Sequence, residues 1–191
     1  DNPFIDDPDT LDEIYTLGNR NIQGLTVLSN GQPWATEHGP RTGDELNQLL
    51  AGENYGWPRV SQGNDYATNQ PIGERSLPGM RNPVYVFQGR FAPSGLAQVN
   101  SATFPEWQGH LLAGGLASQQ LVRLVLAKEE QSSIDNNGDI TANNTKIIAQ
   151  EVVLNGELGR LRDIRQAPDG ALYLLTDASK GSLYRLNRQQ P

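Results

Sequence analysis

Apolar residues along this chain fall in short runs separated by turn residues, and they lack the i, i+3, i+4 recurrence of amphipathic helices. Leu25-Thr26-Val27-Leu28, then Ser29-Asn30-Gly31, then Pro33-Trp34-Ala35-Thr36 reads as strand, turn, strand. Asp163-Ile164-Arg165-Gln166, then Pro168-Asp169-Gly170, then Ala171-Leu172-Tyr173-Leu174-Leu175 reads the same way. Asn-Gly and Asp-Gly supply the positive φ that tight hairpin turns require. A third copy runs from Gly95-Leu96-Ala97-Gln98-Val99 through Pro105 and Trp107 to Leu111-Leu112-Ala113.

The copies align on Leu25, Leu96 and Ile164, which are almost evenly spaced along the chain. Hairpins at near-constant spacing predict a propeller or a similar array. A bare four-stranded blade takes roughly 40–50 residues, and the observed period is longer, so it implies long connections and about three blades. Residues 44–50 are predicted to form a short helical turn capped by Thr42 or Asp44. Residues 52–81, rich in Gly, Pro and Asn, form a long loop. Residues 128–146 are polar with Asn137-Gly138 at their centre, and are expected to tip a hairpin between strands at 121–127 and 147–154. An isolated set of three blades leaves two apolar faces open, which calls for further blades or for a second copy.

Composition agrees with an all-β chain. Gly and Pro number 20 and 12 of 191 residues, too many for a helical bundle, and 36% hydrophobic content is too high for a disordered tail. The balance of 22 acidic against 15 basic residues gives a net charge of −7. No Lys/Arg cluster offers phosphates a surface, so nucleic acid is not an expected partner. No run approaches the ~20 apolar residues of a membrane span. Without cysteine there is no disulfide, thiolate metal site or Cys nucleophile. The chain opens at Asp1, with neither an initiator Met nor a leader, and is expected to be part of a longer protein.

The densest polar run is Glu37-His38-Gly39-Pro40-Arg41-Thr42-Gly43-Asp44-Glu45-Leu46-Asn47, followed by Asn54-Tyr55-Gly56-Trp57-Pro58. Carbonyls at Gly39 and Pro40 with carboxylates at Asp44 and Glu45 are the hard oxygen donors that calcium takes; a polar loop before a capped helix is the other reading. Asp135-Asn136-Asn137-Gly138-Asp139 lacks the far bidentate Glu of a calcium loop and reads as a hairpin turn. Two His and no Cys argue against zinc, and His38 and His110 read as hydrogen-bonding or packing residues. Arg20 and Asn21 stand at the mouth of one strand, and Arg160 and Arg162 at another. Their i, i+2 spacing puts the last two on one face of an extended stretch. Such sites suit a ligand with several carboxylates, and equally suit surface arginines paired with nearby acids.

At these residues the chain resembles the soluble glucose/sorbosone dehydrogenases, quinoprotein aldose sugar dehydrogenases that use pyrroloquinoline quinone (PQQ). The resemblance rests on Gly18-Asn19-Arg20-Asn21-Ile22-Gln23-Gly24-Leu25, Glu37-His38-Gly39-Pro40, Gly43-Asp44-Glu45-Leu46-Asn47 and Asn54-Tyr55-Gly56-Trp57-Pro58. Ala92-Pro93-Ser94-Gly95, Arg160-Leu161-Arg162-Asp163, Pro168-Asp169-Gly170 and Thr176-Asp177 continue it in order. It implies a six-bladed propeller of four-stranded antiparallel sheets, of which this chain is the C-terminal half. It also implies that Arg20, Asn21, Arg160 and Arg162 contact PQQ. The carbonyls of Gly39 and Pro40 would hold the calcium that chelates it, and the Glu45 carboxylate and Tyr55 carbonyl a second, structural calcium. Asn19 stands where the family commonly has His, and Ala117 where some members carry a PQQ-contacting Lys. The family's general base is a His upstream of this chain, so no catalytic residue is expected within it. The expected substrate is an aldose, the expected partner the N-terminal half of the propeller, and the expected location periplasmic or secreted. A non-catalytic propeller binding module and a self-associating half-propeller are the competing readings.

Overall fold

The computed structural model describes residues 2–128 and 145–188. Its eleven strands make three antiparallel sheets in chain order. The first holds β1 (Ile22–Val27), β2 (Pro33–Glu37), β3 (Glu45–Gln48) and β4 (Tyr85–Val86). The second holds β5 (Pro93–Gln98), β6 (Leu111–Gly115), β7 (Gln120–Lys128) and β8 (Thr145–Asn155). The third holds β9 (Leu161–Gln166), β10 (Leu172–Thr176) and β11 (Leu183–Leu186). Each sheet begins with one of the three aligned copies, as expected for successive blades.

The predicted hairpins form, with Leu25 opposite Ala35 and Ile164 opposite Leu174. The β7–β8 hairpin also forms, with Leu121 opposite Leu154 and Ala127 opposite Lys146. Its expected tip, including the turn at residues 135–139, lies outside the described residues. The connection across residues 52–81 carries no named strand, only isolated bridges. The helix expected at residues 44–50 does not form. Glu45–Gln48 is a strand, with Leu46 opposite Thr36 on one side and Tyr85 on the other. Pairing between β2 and β4 outweighs the helical preference of Glu, Leu and Gln in so short a run. Asp44 caps nothing helical and binds backbone N–H groups of a distant loop, as described below.

Strand alternation builds the core. In the second sheet, Leu96, Leu111 and Val122 face a cluster shared with Trp34 and Leu46 of the first sheet. Their neighbours Ala97, Leu112 and Leu121 face a cluster shared with Ile164, Leu172 and Leu174 of the third. The middle sheet is thus apolar on both faces, sandwiched between the other two.

The innermost strands β1, β5 and β9 meet almost backbone to backbone. A Cβ on Gly24 would collide with the Ser94 carbonyl, and one on Gly95 would collide with Asp163 Oδ1 and lie 2.5 Å from the Ile164 nitrogen. Buried hydroxyls tie the same junctions. Thr36 Oγ1 donates to the Ser94 carbonyl at 3.1 Å, and Ser94 Oγ to the Leu161 carbonyl at 2.8 Å. At the other strand ends, Gln98 Oε1 accepts the Ser29 N–H at 2.8 Å. Gln166, at the equivalent repeat position, accepts the Asn100 N–H at 2.7 Å and donates to its carbonyl at 3.0 Å.

The outer faces match the expectation of open apolar ends. Leu25 and Val27 of β1 are 51% and 60% exposed, and Leu175 and Leu183, paired across the third sheet, 41% and 66%. Among the described residues, no helix is long and apolar enough to cross a membrane.

The close approach of β5 and β9 is testable. Gly95→Ala is expected to destabilise the protein by about 3 kcal/mol, the upper part of the range for forcing extra volume into a packed interior. Chemical denaturation would measure it, and a loss under about 1 kcal/mol would contradict the packing described.

Candidate functional site

The amino-terminal ends of β1, β5 and β9 lie side by side, because these three strands form the inner edge of the sheets. That end gathers the residues singled out in the sequence. Arg20 and Asn21 precede β1, Pro93 and Ser94 begin β5, and Arg160 and Arg162 flank Leu161 at the start of β9.

Glu37, at the end of β2, organises the first group. It is only 3% exposed and has no cationic side chain paired with it among the described residues. Its Oε1 accepts the backbone N–H of Arg20 and that of Asn21, the latter at 2.8 Å. Its Oε2 accepts the side-chain amides of Asn19 at 3.1 Å and Asn47 at 3.3 Å. Four N–H donors thus hold a buried carboxylate and fix the approach to β1. Arg20 is held further by its NH1 donating to the His38 carbonyl at 3.0 Å and by stacking 5.1 Å from the Trp57 ring centroid. Its Nε is buried without a partner among the described residues. The Asn21 side chain accepts from Gln23 at 2.8 Å.

Gly39, Glu45, Tyr55, Arg20 and Glu37 line one cavity of about 20 Å³. That is space for a single water or ion. Burial pushes the Glu45 carboxyl from its ordinary 4.5 up to about 7, with the charge of Glu37 adding to the rise and the Asn47 amide opposing it. The Asn47 amide donates to Glu45 Oε2 at 3.2 Å, while Asn47 Oδ1 is buried with no partner among the described residues. Gly39 and Pro40 are buried, and the carbonyls of Gly39, Pro40 and Tyr55 accept no hydrogen bond from the described residues. Among the described residues no three His, Cys, Asp or Glu side chains cluster as a metal site, so carbonyls would have to supply most of the oxygens for a cation here.

Asp44 is not free for that role. Its Oδ1 accepts the Gly39 N–H at 3.1 Å, and its Oδ2 the N–H groups of Phe91 at 3.1 Å and Ala92 at 2.7 Å. With its oxygens turned to three amides, the carboxylate locks the Gly39–Pro40 turn to the segment that leads into β5.

The β9 arginines share one acid. Arg160 and Arg162 project from the same face, as their spacing predicts, and reach opposite oxygens of Asp177 with NH2 distances of 2.8 and 2.9 Å. Hydrogen bonds from Arg162 and Arg160 lower the pKa of this carboxylate. Two cations against one anion leave a net positive charge. Arg162 lines a cavity of about 260 Å³ together with Gln23 of β1 and Ser94 of β5. Arg160 NH1 points to the Leu116 carbonyl at 3.4 Å.

Both histidines are engaged structurally. His38 Nε2 lies 2.6 Å from the Pro93 carbonyl, which makes that nitrogen the N–H donor. His110 Nδ1 lies 3.3 Å from Arg123, and burial followed by that positive charge lowers its pKa. Sequence reasoning places Glu37 inside a motif but misses its organising role. The available signal is an acid at a strand end, with amide-bearing Asn19 and Asn47 near in the fold but distant in the chain.

Residues 1–185 match the family described as Glucose / Sorbosone dehydrogenase. The chain is 36% identical over 192 residues to the aldose sugar dehydrogenase YliI of Escherichia coli, an alignment covering 98% of this chain and 47% of that protein. It superposes on a crystal structure of a glucose dehydrogenase with a TM-score of 0.84 at 37% identity, covering 99% of this chain and 51% of the other. It superposes on the PQQ-bound form of an aldose sugar dehydrogenase from Streptomyces coelicolor with a TM-score of 0.66 at 29% identity, covering 97% and 47%. The chain therefore spans about half the length of the relatives it matches, and its three sheets are blades of their propeller. By sequence and by fold, this chain belongs to the glucose/sorbosone dehydrogenase family.

Proposed function

We propose that the chain forms part of a PQQ- and calcium-dependent sugar dehydrogenase that oxidises aldoses at the anomeric carbon by hydride transfer to PQQ. One observation carries this reading. Arg20, just before β1, and Arg160 and Arg162, at the start of β9, accompany a turn whose buried residues, Gly39 and Pro40, offer carbonyls that no described donor uses. Cationic groups beside unpaired hard oxygens suit a polycarboxylate chelated to a divalent cation.

The residues present fit both groups. Arg160 and Arg162 carry one positive charge in excess of Asp177, and Arg20 keeps a buried Nε without a described partner. The carbonyls of Gly39 and Pro40 would hold the calcium that chelates PQQ. The Glu45 carboxylate and the Tyr55 carbonyl, beside a cavity of about 20 Å³, would hold the structural calcium. When bound, PQQ with its calcium supplies a polarised quinone as the two-electron acceptor. The chain's own part is binding and orientation. Arg20 is clamped by Trp57 and the His38 carbonyl, Asn21 is fixed through Glu37, and Arg160 and Arg162 are both held by Asp177. His38 Nε2 is engaged by the Pro93 carbonyl and His110 borders Arg123, and we assign the base that takes the substrate proton to the half of the propeller that pairs with this one. That half, an aldose and an electron acceptor are the proposed partners, in the periplasm or outside the cell.

The sharing of Asp177 favours one second reading, a propeller binding module without dehydrogenase activity, because it partly satisfies the arginines internally. Reconstitution separates the two. The full-length protein with PQQ and calcium should reduce a redox dye in the presence of aldoses, and omission of either component should abolish the reaction.

Arg162→Ala is expected to weaken PQQ binding by ~1.5–3 kcal/mol, the range for a charge-assisted hydrogen bond. Unchanged affinity would remove Arg162 from the site. Glu45 makes a pH-dependent contribution: with a folded-state pKa near 7 against an ordinary 4.5, the calcium-free protein binds a proton that the unfolded chain releases. Its stability should therefore fall as pH rises between those values. Glu45→Gln should remove that fall in chelator, and at pH above 7 it should reduce the rise in melting temperature that calcium gives the wild type. An identical calcium response would refute the assignment.

A further inference from the structure

The turn at Gly39 and Pro40 borders a second cavity, of about 80 Å³, whose lining includes Pro40, Arg41, Asp44, Tyr66, Arg90 and Ala117. It is bounded by His38, whose carbonyl takes Arg20 NH1. Its lining also includes Ala117, next to the Leu116 carbonyl that Arg160 NH1 approaches. The cavity therefore adjoins residues held by both Arg20 and Arg160.

Its charge is unbalanced. Arg41 donates from NH1 to the Tyr66 carbonyl at 2.9 Å and meets no acid among the described residues. Arg90 is exposed and has no hydrogen bond or ion pair among the described residues. Among the described lining residues the one carboxylate, Asp44, is already turned to three backbone N–H groups. Two arginines thus line a cavity in which, among the described residues, the only carboxylate is already occupied. Arg90 is also well anchored for a loop residue, because Phe91 and Ala92, directly after it, are the residues that Asp44 pins. Its backbone attachment is fixed, and its guanidinium, with no described partner, is available to an anion at the rim.

We propose that Arg90, assisted by Arg41, binds a carboxylate at the rim of the cofactor site. The proposal rests on the function proposed above and adds a residue that the resemblance does not assign. Two sources fit the chemistry: a carboxylate of PQQ, or that of an acidic sugar such as a uronic acid.

The test uses the full-length protein as wild type, Arg90→Ala, Arg90→Lys and Arg162→Ala. PQQ binding in calcium is followed by tryptophan fluorescence at low and high salt. Binding of glucose and of glucuronate is followed by thermal shift. If the carboxylate is the cofactor's, Arg90→Ala weakens PQQ binding about tenfold or more and flattens its salt dependence. Arg90→Lys then restores part of the affinity, and the melting temperature without ligand stays unchanged, since the exposed Arg90 side chain makes no hydrogen bond or ion pair with a described residue. If the carboxylate is the substrate's, PQQ affinity is unchanged and Arg90→Ala loses the glucuronate shift but keeps the glucose shift. Neither effect, with Arg162→Ala weakened as expected, overturns the proposal and leaves the functional reading standing. A wild type that does not bind PQQ overturns the functional reading, and the glucuronate arm then decides Arg90 alone.

Discussion

The site depends on keeping the charge of Glu37 in a buried place where backbone and amide N–H groups, rather than a cation, surround it. A buried carboxylate is costly unless its oxygens are met by donors, and here four N–H groups from two segments meet them. That requirement pulls the approach to β1 against the end of β2 and brings Asn47 of β3 alongside. Arg20 and Asn21 have their backbone positions as a result. The same charge bears on Glu45, whose carboxyl is already hard to ionise because it is buried. Two acids next to an ion-sized cavity make a place where a divalent cation would relieve both desolvation and repulsion.

Asp44 plays the matching role on the other side. It spans the Gly39–Pro40 turn and the residues leading into β5, so the turn cannot move independently of the second blade. Thr36 and Ser94 then link the three inner strands through buried hydroxyls. The arginines on β9 are thereby held in a fixed relation to Arg20 before β1, although most of the chain separates them in sequence. Position in this site is a property of the blade junctions more than of any one loop.

Much of the fold is legible in local patterns. Asn30-Gly31 and Asp169-Gly170 mark two hairpins, and the alignment of Leu25, Leu96 and Ile164 marks the innermost strand of each blade. Residues 44–50 mislead because a short run of Glu, Leu, Asn and Gln after Thr and Asp has the look of a capped helix. Their strand state comes from partners elsewhere in the chain, at Thr36 and Tyr85. Arg160 and Arg162 are legible from their i, i+2 spacing. Asp44 looks from the sequence like an oxygen donor for a cation, but two of its three N–H partners, Phe91 and Ala92, come from a loop that no local pattern connects to it. Arg90 carries no sequence signal at all, since its significance lies in a guanidinium with no partner among the described residues, beside a cavity formed by four separate segments.

The most direct test is a crystal structure of the full-length protein grown with calcium and PQQ, with the cations located by anomalous scattering. The expected result is one calcium within coordinating distance of the Gly39 and Pro40 carbonyls and of PQQ, with Arg160 and Arg162 on the cofactor carboxylates. A second calcium is expected between the Glu45 carboxylate and the Tyr55 carbonyl. Cations elsewhere, or PQQ away from the ends of β1 and β9, would contradict the central claim.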